Sequence, residues 1–349
     1  MDAPQNEDCR WMDEAIALAK KAYGLCSPNP MVGAVVVKDG VKVGEGYHHK
    51  AGEPHAEPNA LDDAGEDAKG ATLYVTLEPC STYGRTPPCT ERIKRSGVRR
   101  VVIGVLDVNP KHAGAAVAIL QEAGIEVTVG VRENECRRMN EAFFWWIAER
   151  KPFVILKMAM TLDGKIAAAN GVSQWISGPQ ARDYVQMLRR GADAVMVGGA
   201  TALADNPSLL VRTPPDWPVQ PRRIVWTSRQ LPSTLKMMCD GGPRPETAKP
   251  TTFEEWQAYL RSLGSENVTS LLIEGGGELA ANALRSGAVN KVVFFVAPKI
   301  LGGRNSRPVV GGDDVSSLDN ALYIKGMETA SIGDDLLITG YCNNVHGNN

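Results

Sequence analysis

The alternation of strand-length apolar runs with helically spaced segments is the feature that most narrows what this chain folds into. In the first half, residues 32–37 and 41–44 flank Lys38-Asp39-Gly40, whose Asp-Gly pair signals a tight hairpin turn. Residues 72–76, 101–105 and 126–129 read as further strands, and residues 12–23, 55–64, 88–96 and 115–123 as helices. The second half repeats the scheme, with strands at 153–158, 194–197, 223–226, 269–273 and 292–296 and helices at 180–190, 253–263 and 279–286. Residues 239–250 are rich in Gly and Pro and read as a surface loop. Strands separated by helices pack as covered sheets, so the expectation is an α/β fold of two three-layer α/β/α domains. A length of 349 residues fits two such domains, placed at 1–145 and 146–349. Residues 131–150 are helically spaced and carry Phe143, Phe144, Trp145 and Trp146. Interrupting charges favour a linker helix wedged between the domains over a membrane or cofactor contact.

Charge and cysteine usage exclude several classes. The formal net charge of −2 gives no electrostatic footprint for nonspecific nucleic-acid binding. No run approaches the roughly 18 apolar residues of a membrane span, and the polar, acidic N-terminus lacks a signal-peptide pattern. The seven cysteines are scattered and odd in number, which fits a reduced, cytoplasmic protein better than a disulfide framework. The expected partner is a small molecule, with neither nucleic acid nor membrane.

Chemistry concentrates in three short segments, His55-Ala56-Glu57, Glu78-Pro79-Cys80 and Pro87-Pro88-Cys89. A hydrolytic zinc takes three protein ligands and keeps a fourth position for water. His55, Cys80 and Cys89 supply the three, for one Zn2+ per chain. A zinc deaminase also needs a carboxylate that shuttles protons without binding the metal, and Glu57 has the H-x-E spacing for it. A structural zinc would want a fourth ligand; His48, His49 and Cys26 are nearby in sequence, but none is a short-spaced partner. His55 and Cys89 each open a predicted helix, so two positive dipole ends converge and favour thiolate over thiol. The usual C-x-x-C tail is replaced here by a pair separated by eight residues.

In the second half, Ile273-Glu274-Gly275-Gly276-Gly277 places three glycines between a strand and a helix. Such a run serves as a phosphate cradle or simply as a tight turn, and it is not a G-x-G-x-x-G fingerprint. Polar residues also follow other predicted strand ends, where ligand sites of α/β folds sit. The residues alone leave open a zinc deaminase whose C-terminal domain only binds substrate or oligomerises.

The insert Ser81-Thr82-Tyr83-Gly84-Arg85-Thr86-Pro87-Pro88, with Pro28-Asn29-Pro30-Met31-Val32-Gly33 and Gly52-Glu53-Pro54-His55-Ala56-Glu57, resembles the riboflavin-biosynthesis deaminases. That family, RibD, commonly fuses the deaminase to a C-terminal reductase. Leu162-Asp163-Gly164-Lys165, Ala204-Asp205-Asn206-Pro207 and Glu274-Gly275-Gly276 look like its reductase half. The resemblance implies a cytidine-deaminase-like N-terminal domain and a dihydrofolate-reductase-like C-terminal domain. It implies hydrolytic deamination of a diaminopyrimidinone carrying a ribosylamino 5′-phosphate, then NADPH reduction of the ribosyl to a ribityl chain, in a homo-oligomer.

Carried over by position, Asn29 would hold the pyrimidine. Ala159, Trp175, Thr201, Asp205 and Thr227 would meet NADPH, as would the run Gly276, Gly277, Glu278, Leu279, Ala280, Ala281 and Asn282. Lys157, Ser173, Arg189, Leu209, Arg212 and Glu274 would meet the substrate, with Arg189 and Arg212 suited to clamp its 5′-phosphate. Ser228 or Arg229 is expected to read the 2′-phosphate of the cofactor. Thr82, where many members carry His, and Gln174, where a Lys is common, depart from the pattern.

Overall fold

The computed structural model describes residues 3–83, 87–109 and 113–342, so Gly84, Arg85 and Thr86 of the insert lie outside the described residues. The chain divides into two compact units, Met1–Glu149 and Arg150–Asn349. The first holds a five-stranded sheet of β1 (Gly33–Lys38), β2 (Val41–Tyr47), β3 (Thr72–Leu77), β4 (Arg100–Val105) and β5 (Glu126–Val129), in the order β2-β1-β3-β4-β5. β1 pairs antiparallel with β2, as the Asp-Gly turn predicts, and with β3. β3, β4 and β5 run parallel.

Successive side chains point to opposite faces of a strand, so the register assigns the faces. Gly44 and Gly46 lie opposite Val36 and Ala34. A Cβ on either would strike backbone of Ala60 at 2.5 Å, because the helix of Ala56–Ala64 lies directly on that face. Gly33 has the opposite parity, and a Cβ there would strike the Ala15 carbonyl at 2.0 Å. Ala15 belongs to α1 (Ala3–Ala19), which makes the Ala56–Ala64 helix α2. The hairpin is therefore held between two helices, one on each face. α1 begins at Ala3 rather than at residue 12. Its first turns are polar, but buried Asp8 accepts from Tyr74 Oη at 2.9 Å and from Arg100 Nη1 and Nη2 at 2.9 and 2.7 Å, a contact that apolar periodicity does not register.

The rest of the unit is α3 (Cys89–Ser96), α4 (Ala115–Glu122), α5 (Glu133–Met139) and α6 (Glu141–Glu149). The single helix expected over 131–150 is thus two, broken at Asn140. The buried Asn140 amide accepts from Met31 N and donates to Met31 O, both at 2.8 Å, and so fixes the loop that carries Asn29. Phe144 is buried in this unit's core, with Phe143 packed against it.

The second unit is built on an eight-stranded sheet. In chain order its strands are β6 (Phe153–Thr161), β8 (Ala194–Gly198), β9 (Arg222–Trp226), β10 (Glu246–Ala248), β11 (Ser270–Glu274), β12 (Lys291–Ala297), β14 (Lys325–Ile332) and β15 (Asp335–Tyr341). β7 (Lys165–Ala167) and β13 (Arg307–Pro308) form a separate ribbon. The order is β10-β9-β8-β11-β6-β12-β15-β14, parallel from β10 to β12 and antiparallel beyond. The helices are α7 (Pro179–Arg190), α8 (Gly199–Asp205), α9 (Lys236–Cys239), α10 (Phe253–Ser265) and α11 (Gly277–Arg285). Trp256 of α10 and Leu279 of α11 are fully buried in a core shared with β6, β8 and β11. Two elements correct the sequence expectation. The segment expected as a loop over 239–250 contains edge strand β10, too short to show a period. The β14–β15 hairpin also went unread, because β14 is exposed along nearly its whole length and lacks apolar alternation. Among the described residues no helix is long and apolar enough to cross a membrane.

The close approach of α2 to the hairpin is directly testable. Gly46→Ala places a methyl group 2.5 Å from Ala60 N, 2.6 Å from Asn59 Cβ and 2.8 Å from Ala56 O, with no flexible side-chain end to yield. Overpacking of this kind costs about 1–3 kcal/mol. A lowered melting transition for the first unit, measured by calorimetry, is the expected result; an unchanged one would show that α2 moves without penalty.

Candidate active sites

In the first unit three chain segments converge on one point. His55 is the N-cap of α2 and Glu57 lies in its first turn. Cys80 follows the end of β3, and Cys89 opens α3. The Cys89 backbone N–H donates to Cys80 Sγ at 3.2 Å, tying the two cysteine segments together. His55 Nδ1 lies 3.3 Å from Cys89 Sγ and 3.6 Å from Cys80 Sγ. All three ligand atoms fall within 4.8 Å of one another. A tetrahedral zinc with Zn–N of about 2.1 Å and Zn–S of about 2.3 Å sets such atoms roughly 3.6 Å apart, so the set fits that ion. Two helix N-termini meet here and favour negative charge.

The electrostatics agree. Hydrogen bonding from the Cys89 thiol, and then from His55, pulls Cys80 down to about 4. Cys89 moves up for the reciprocal reason, holding the proton that it offers to Cys80. The hydrogen bond with Cys80 raises His55 to about 8. Glu57 is only 3 % exposed, and burial pushes it up to about 7. A buried carboxyl of that strength, lying against the Cys89 sulfur, is poised to take and return a proton near neutrality.

Three supporting residues have roles that the sequence does not disclose. His48 is buried, with Nδ1 3.1 Å from the Pro54 carbonyl and Nε2 3.1 Å from Asn29 Nδ2. A carbonyl only accepts, so the proton sits on Nδ1 and Nε2 accepts from Asn29. This turns the Asn29 side-chain carbonyl away from His48, and it gives His48 a role other than the fourth ligand weighed above. Burial lowers the His48 pKa, in keeping with the neutral ring. Asn140 holds the Asn29 loop, as described. Buried Glu78 accepts from the backbone N–H groups of Asp107, Gly114 and Ala116 at 3.1, 2.9 and 3.0 Å, so the carboxylate two residues before Cys80 is structural. None of these partners is close in sequence. Thr82 is exposed.

In the second unit a cavity of about 1010 Å³ opens at the C-terminal ends of the parallel strands. That end is where α/β sheets bind ligands. Lys157 and Ala159 reach it from β6, Thr201 and Asp205 from α8, and Thr227 from the end of β9. Glu274 closes β11, and Gly276, Gly277, Glu278 and Leu279 start α11 beside it. Ser173, Trp175, Arg189, Leu209 and Arg212 complete the set, and Ser228 and Arg229 line it too. The remaining expected contacts lie elsewhere. Ala280 is buried in the core against the sheet, Ala281 is buried too, and Asn282 accepts from Trp256 Nε1 at 2.7 Å and donates to the Thr251 carbonyl at 2.9 Å.

The lining carries eight Lys and Arg against three Asp and Glu, an excess of five positive charges that suits phosphorylated ligands. Arg189 gives Nε and Nη2 to Glu274 at 2.6 and 2.9 Å and Nη1 to the Leu210 carbonyl at 3.2 Å. Burial alone would raise Glu274, but the Arg189 guanidinium holds it below the ordinary carboxylate range. Lys157, register partner of Glu274, is lowered by its protein surroundings. Arg212 is exposed at the cavity, and Ser173 Oγ donates to Asp205 at 2.7 Å. Gly276 passes close to Thr201 and Gly198, where a Cβ would come within 3.2 Å of Thr201 Oγ1; with φ at +88°, glycine satisfies both demands.

Residues 5–105 match the cytidine and deoxycytidylate deaminase zinc-binding region, and residues 152–338 match the RibD C-terminal domain. The riboflavin biosynthesis protein RibD of Aquifex aeolicus is 42 % identical over 349 residues, covering 95 % of this chain and 97 % of that one. The Escherichia coli protein of the same name is 38 % identical over 362 residues, covering 95 % and 98 %. The structure of Acinetobacter baumannii RibD superposes with a TM-score of 0.88 at 36 % identity, covering 97 % and 99 %. That of the Thermotoga maritima diaminohydroxyphosphoribosylaminopyrimidine deaminase/5-amino-6-(5-phosphoribosylamino)uracil reductase gives the same score, identity and coverage. On fold, site geometry and full-length similarity together, this chain belongs to the RibD family of riboflavin biosynthesis proteins.

Proposed function

We propose that the first unit hydrolyses the 2-amino group from 2,5-diamino-6-ribosylamino-4(3H)-pyrimidinone 5′-phosphate, and that the second reduces the ribosyl chain of the product with NADPH. The observation that carries the reading is the buried Glu57 beside one nitrogen and two sulfur ligands. Zinc held by His55, Cys80 and Cys89 supplies activation of water as a nucleophile near neutral pH. Glu57 takes the proton that the water gives up and delivers it to the ring nitrogen and then to the departing ammonia. Asn29, oriented by His48, holds the pyrimidine over that carboxyl.

In the second unit NADPH, when bound, supplies the hydride. Delivered to C1′ of the ribose in its opened imine form, with a proton from solvent for the nitrogen, that hydride would give the ribitylamino chain. The cationic cavity supports two phosphorylated ligands side by side. Trp175, Thr201, Asp205, Thr227 and the start of α11 are assigned to the cofactor. Lys157, Ser173, Leu209 and Glu274 are assigned to the substrate. Arg212 is placed on the 5′-phosphate, and Arg189 contributes charge while bonded to Glu274. None of the seven cysteines, all among the described residues, is in a disulfide, which supports a reducing, cytoplasmic setting. The exposed edge of β14, with Met327 59 % exposed, supports a homo-oligomer in which a second copy covers it.

Three outcomes test these assignments. Glu57→Gln is expected to retain zinc, measured by metal analysis, while ammonia release falls roughly 100- to 10,000-fold. NADPH oxidation on deaminated substrate should persist in the same sample; surviving deamination would remove Glu57 from the proton path. Arg229→Ala should raise KM for NADPH far more than for NADH, and equal changes would exclude a 2′-phosphate contact. Sedimentation of the full chain should give a mass above the 37.6 kDa of one copy, and a single-copy mass would reject the assembly.

A further inference from the structure

Residues 173–177 form one wall of the second cavity, and their backbone is held in an unusual way. They lie between β7 and α7, outside any helix or strand. Three consecutive carbonyls are each bound by a cationic side chain. Lys299 Nζ donates to Trp175 O at 2.9 Å and to Ile176 O at 2.7 Å. Arg182 Nη1 donates to Ser177 O at 2.8 Å, and the same guanidinium lies 4.6 Å from the centre of the Trp175 ring. The Trp175 indole is 62 % exposed, so packing does little to fix it. Its place depends on what holds its backbone.

Lys299 is itself anchored, by a motif that the catalytic assignments leave unused. Its carbonyl accepts from Leu162 N at 2.8 Å. The next turn is pinned by Asp163, whose carboxylate accepts from Leu301 N at 3.0 Å and Gly302 N at 2.7 Å. Thr161 Oγ1 donates to Asp163 at 2.6 Å and accepts from Lys165 N at 2.9 Å. Asp163 does not line the cavity, so the Leu162-Asp163-Gly164-Lys165 segment contributes a clamp rather than a reacting group. The chain of contacts runs from the end of β6, through the 299–302 turn, to the ammonium of Lys299 and on to Trp175.

We propose that Lys299 is a positioning residue for the reduction, strapping the Trp175–Ile176 backbone so that the indole stands ready against the bound cofactor. This rests on the assignment of Trp175 to the NADPH half of the cavity. Two charge-assisted hydrogen bonds from one ammonium are strong contacts for a segment with so few others. Lys299 does not line the cavity, so it acts only through the 175–176 backbone.

The test uses the full chain labelled with 5-fluorotryptophan, whose seven tryptophans give a 19F spectrum in which Trp175→Phe identifies the Trp175 line. In Lys299→Met the Trp175 line should shift or broaden while the other six stay, with no ligand present. KM for NADPH should rise about tenfold with kcat nearly constant, as loss of charged hydrogen bonds at a remote strap implies. Lys299→Arg, which keeps the donors, should restore both readouts, and Asp163→Asn should move them in the same direction. Ammonia release should be unchanged in each variant, and unmoved lines of Trp217, Trp226 and Trp256 show that the second unit is folded. An unmoved Trp175 line overturns the strap, as does an unchanged KM beside a moved line. If the unsubstituted chain oxidises no NADPH on deaminated substrate, the assignment of the cavity fails, while the fluorine spectrum still judges the strap.

Discussion

Parallel strands joined by helices deliver every strand's C-terminal end to one edge of the sheet, and both sites of this chain depend on that geometry. In the first unit β3 runs out into Glu78-Pro79-Cys80, and the loop before α3 returns Cys89 to the same place. In the second, β6, β8, β9 and β11 end together, so Lys157, Thr201, Thr227 and Glu274 share one cavity despite wide separation in sequence. Helices complete each site by their N-terminal ends. α2 and α3 present His55 and Cys89, and α11 presents Gly277 and Glu278. The hydrophobic cores behind these edges set the spacing. The chemistry then needs only short irregular segments.

Those segments are held by buried charge. Arg223 is 1 % exposed and gives Nη1 to both Asp240 oxygens at 2.8 Å and to the Ser208 carbonyl at 3.0 Å, while Ser208 Oγ donates to Asp240 at 2.9 Å. Further along, Leu210 O is held by Arg189, Val211 N by Gln220 and Arg212 N by Gln186. Within this run Leu209 is buried with φ at +60°, a conformation that needs support from its surroundings. A buried ion pair is a weak source of stability compared with a well-packed apolar replacement. Its usefulness here is directional, since guanidinium and carboxylate fix carbonyls and hydroxyls that a leucine could not. The stretch that presents Leu209 and Arg212 to the cavity is therefore positioned by polar contacts.

This division explains what the sequence disclosed. His55, Cys80 and Cys89 were legible because their chemistry imposes residue types at short spacing, and the fold brings these three together with Glu57 buried beside them. The alternating layers, the hairpin at Asp39-Gly40 and most helices were legible because apolar periodicity reports the core. The roles of His48, Asn140 and Glu78 were not, because each rests on hydrogen bonds to other segments of the chain that no motif spacing marks; Asn140 and Met31 are 109 positions apart. β10 and β14 were missed for a different reason, being edge strands without a buried face to leave a period. Asp163 was seen as part of a motif, but only the structure separates its clamping role from the cavity itself.

The zinc site shows why such a constellation is built so tightly. Two sulfurs, an imidazole and the Glu57 carboxyl are crowded where little solvent reaches, and hydrogen bonding between the sulfurs eases ionisation of Cys80 while opposing that of Cys89. A dication resolves the conflict, because two thiolates neutralise it and each loses the penalty of standing beside the other. Ligand binding of this kind stabilises the folded state by mass action. The α2 start and the β3–α3 connection are thus held partly by the core beneath them and partly by the ion between them. Glu57, in the first turn of α2, is placed by the same two supports, since the glycine-faced contact of α2 with the hairpin fixes the helix that carries it.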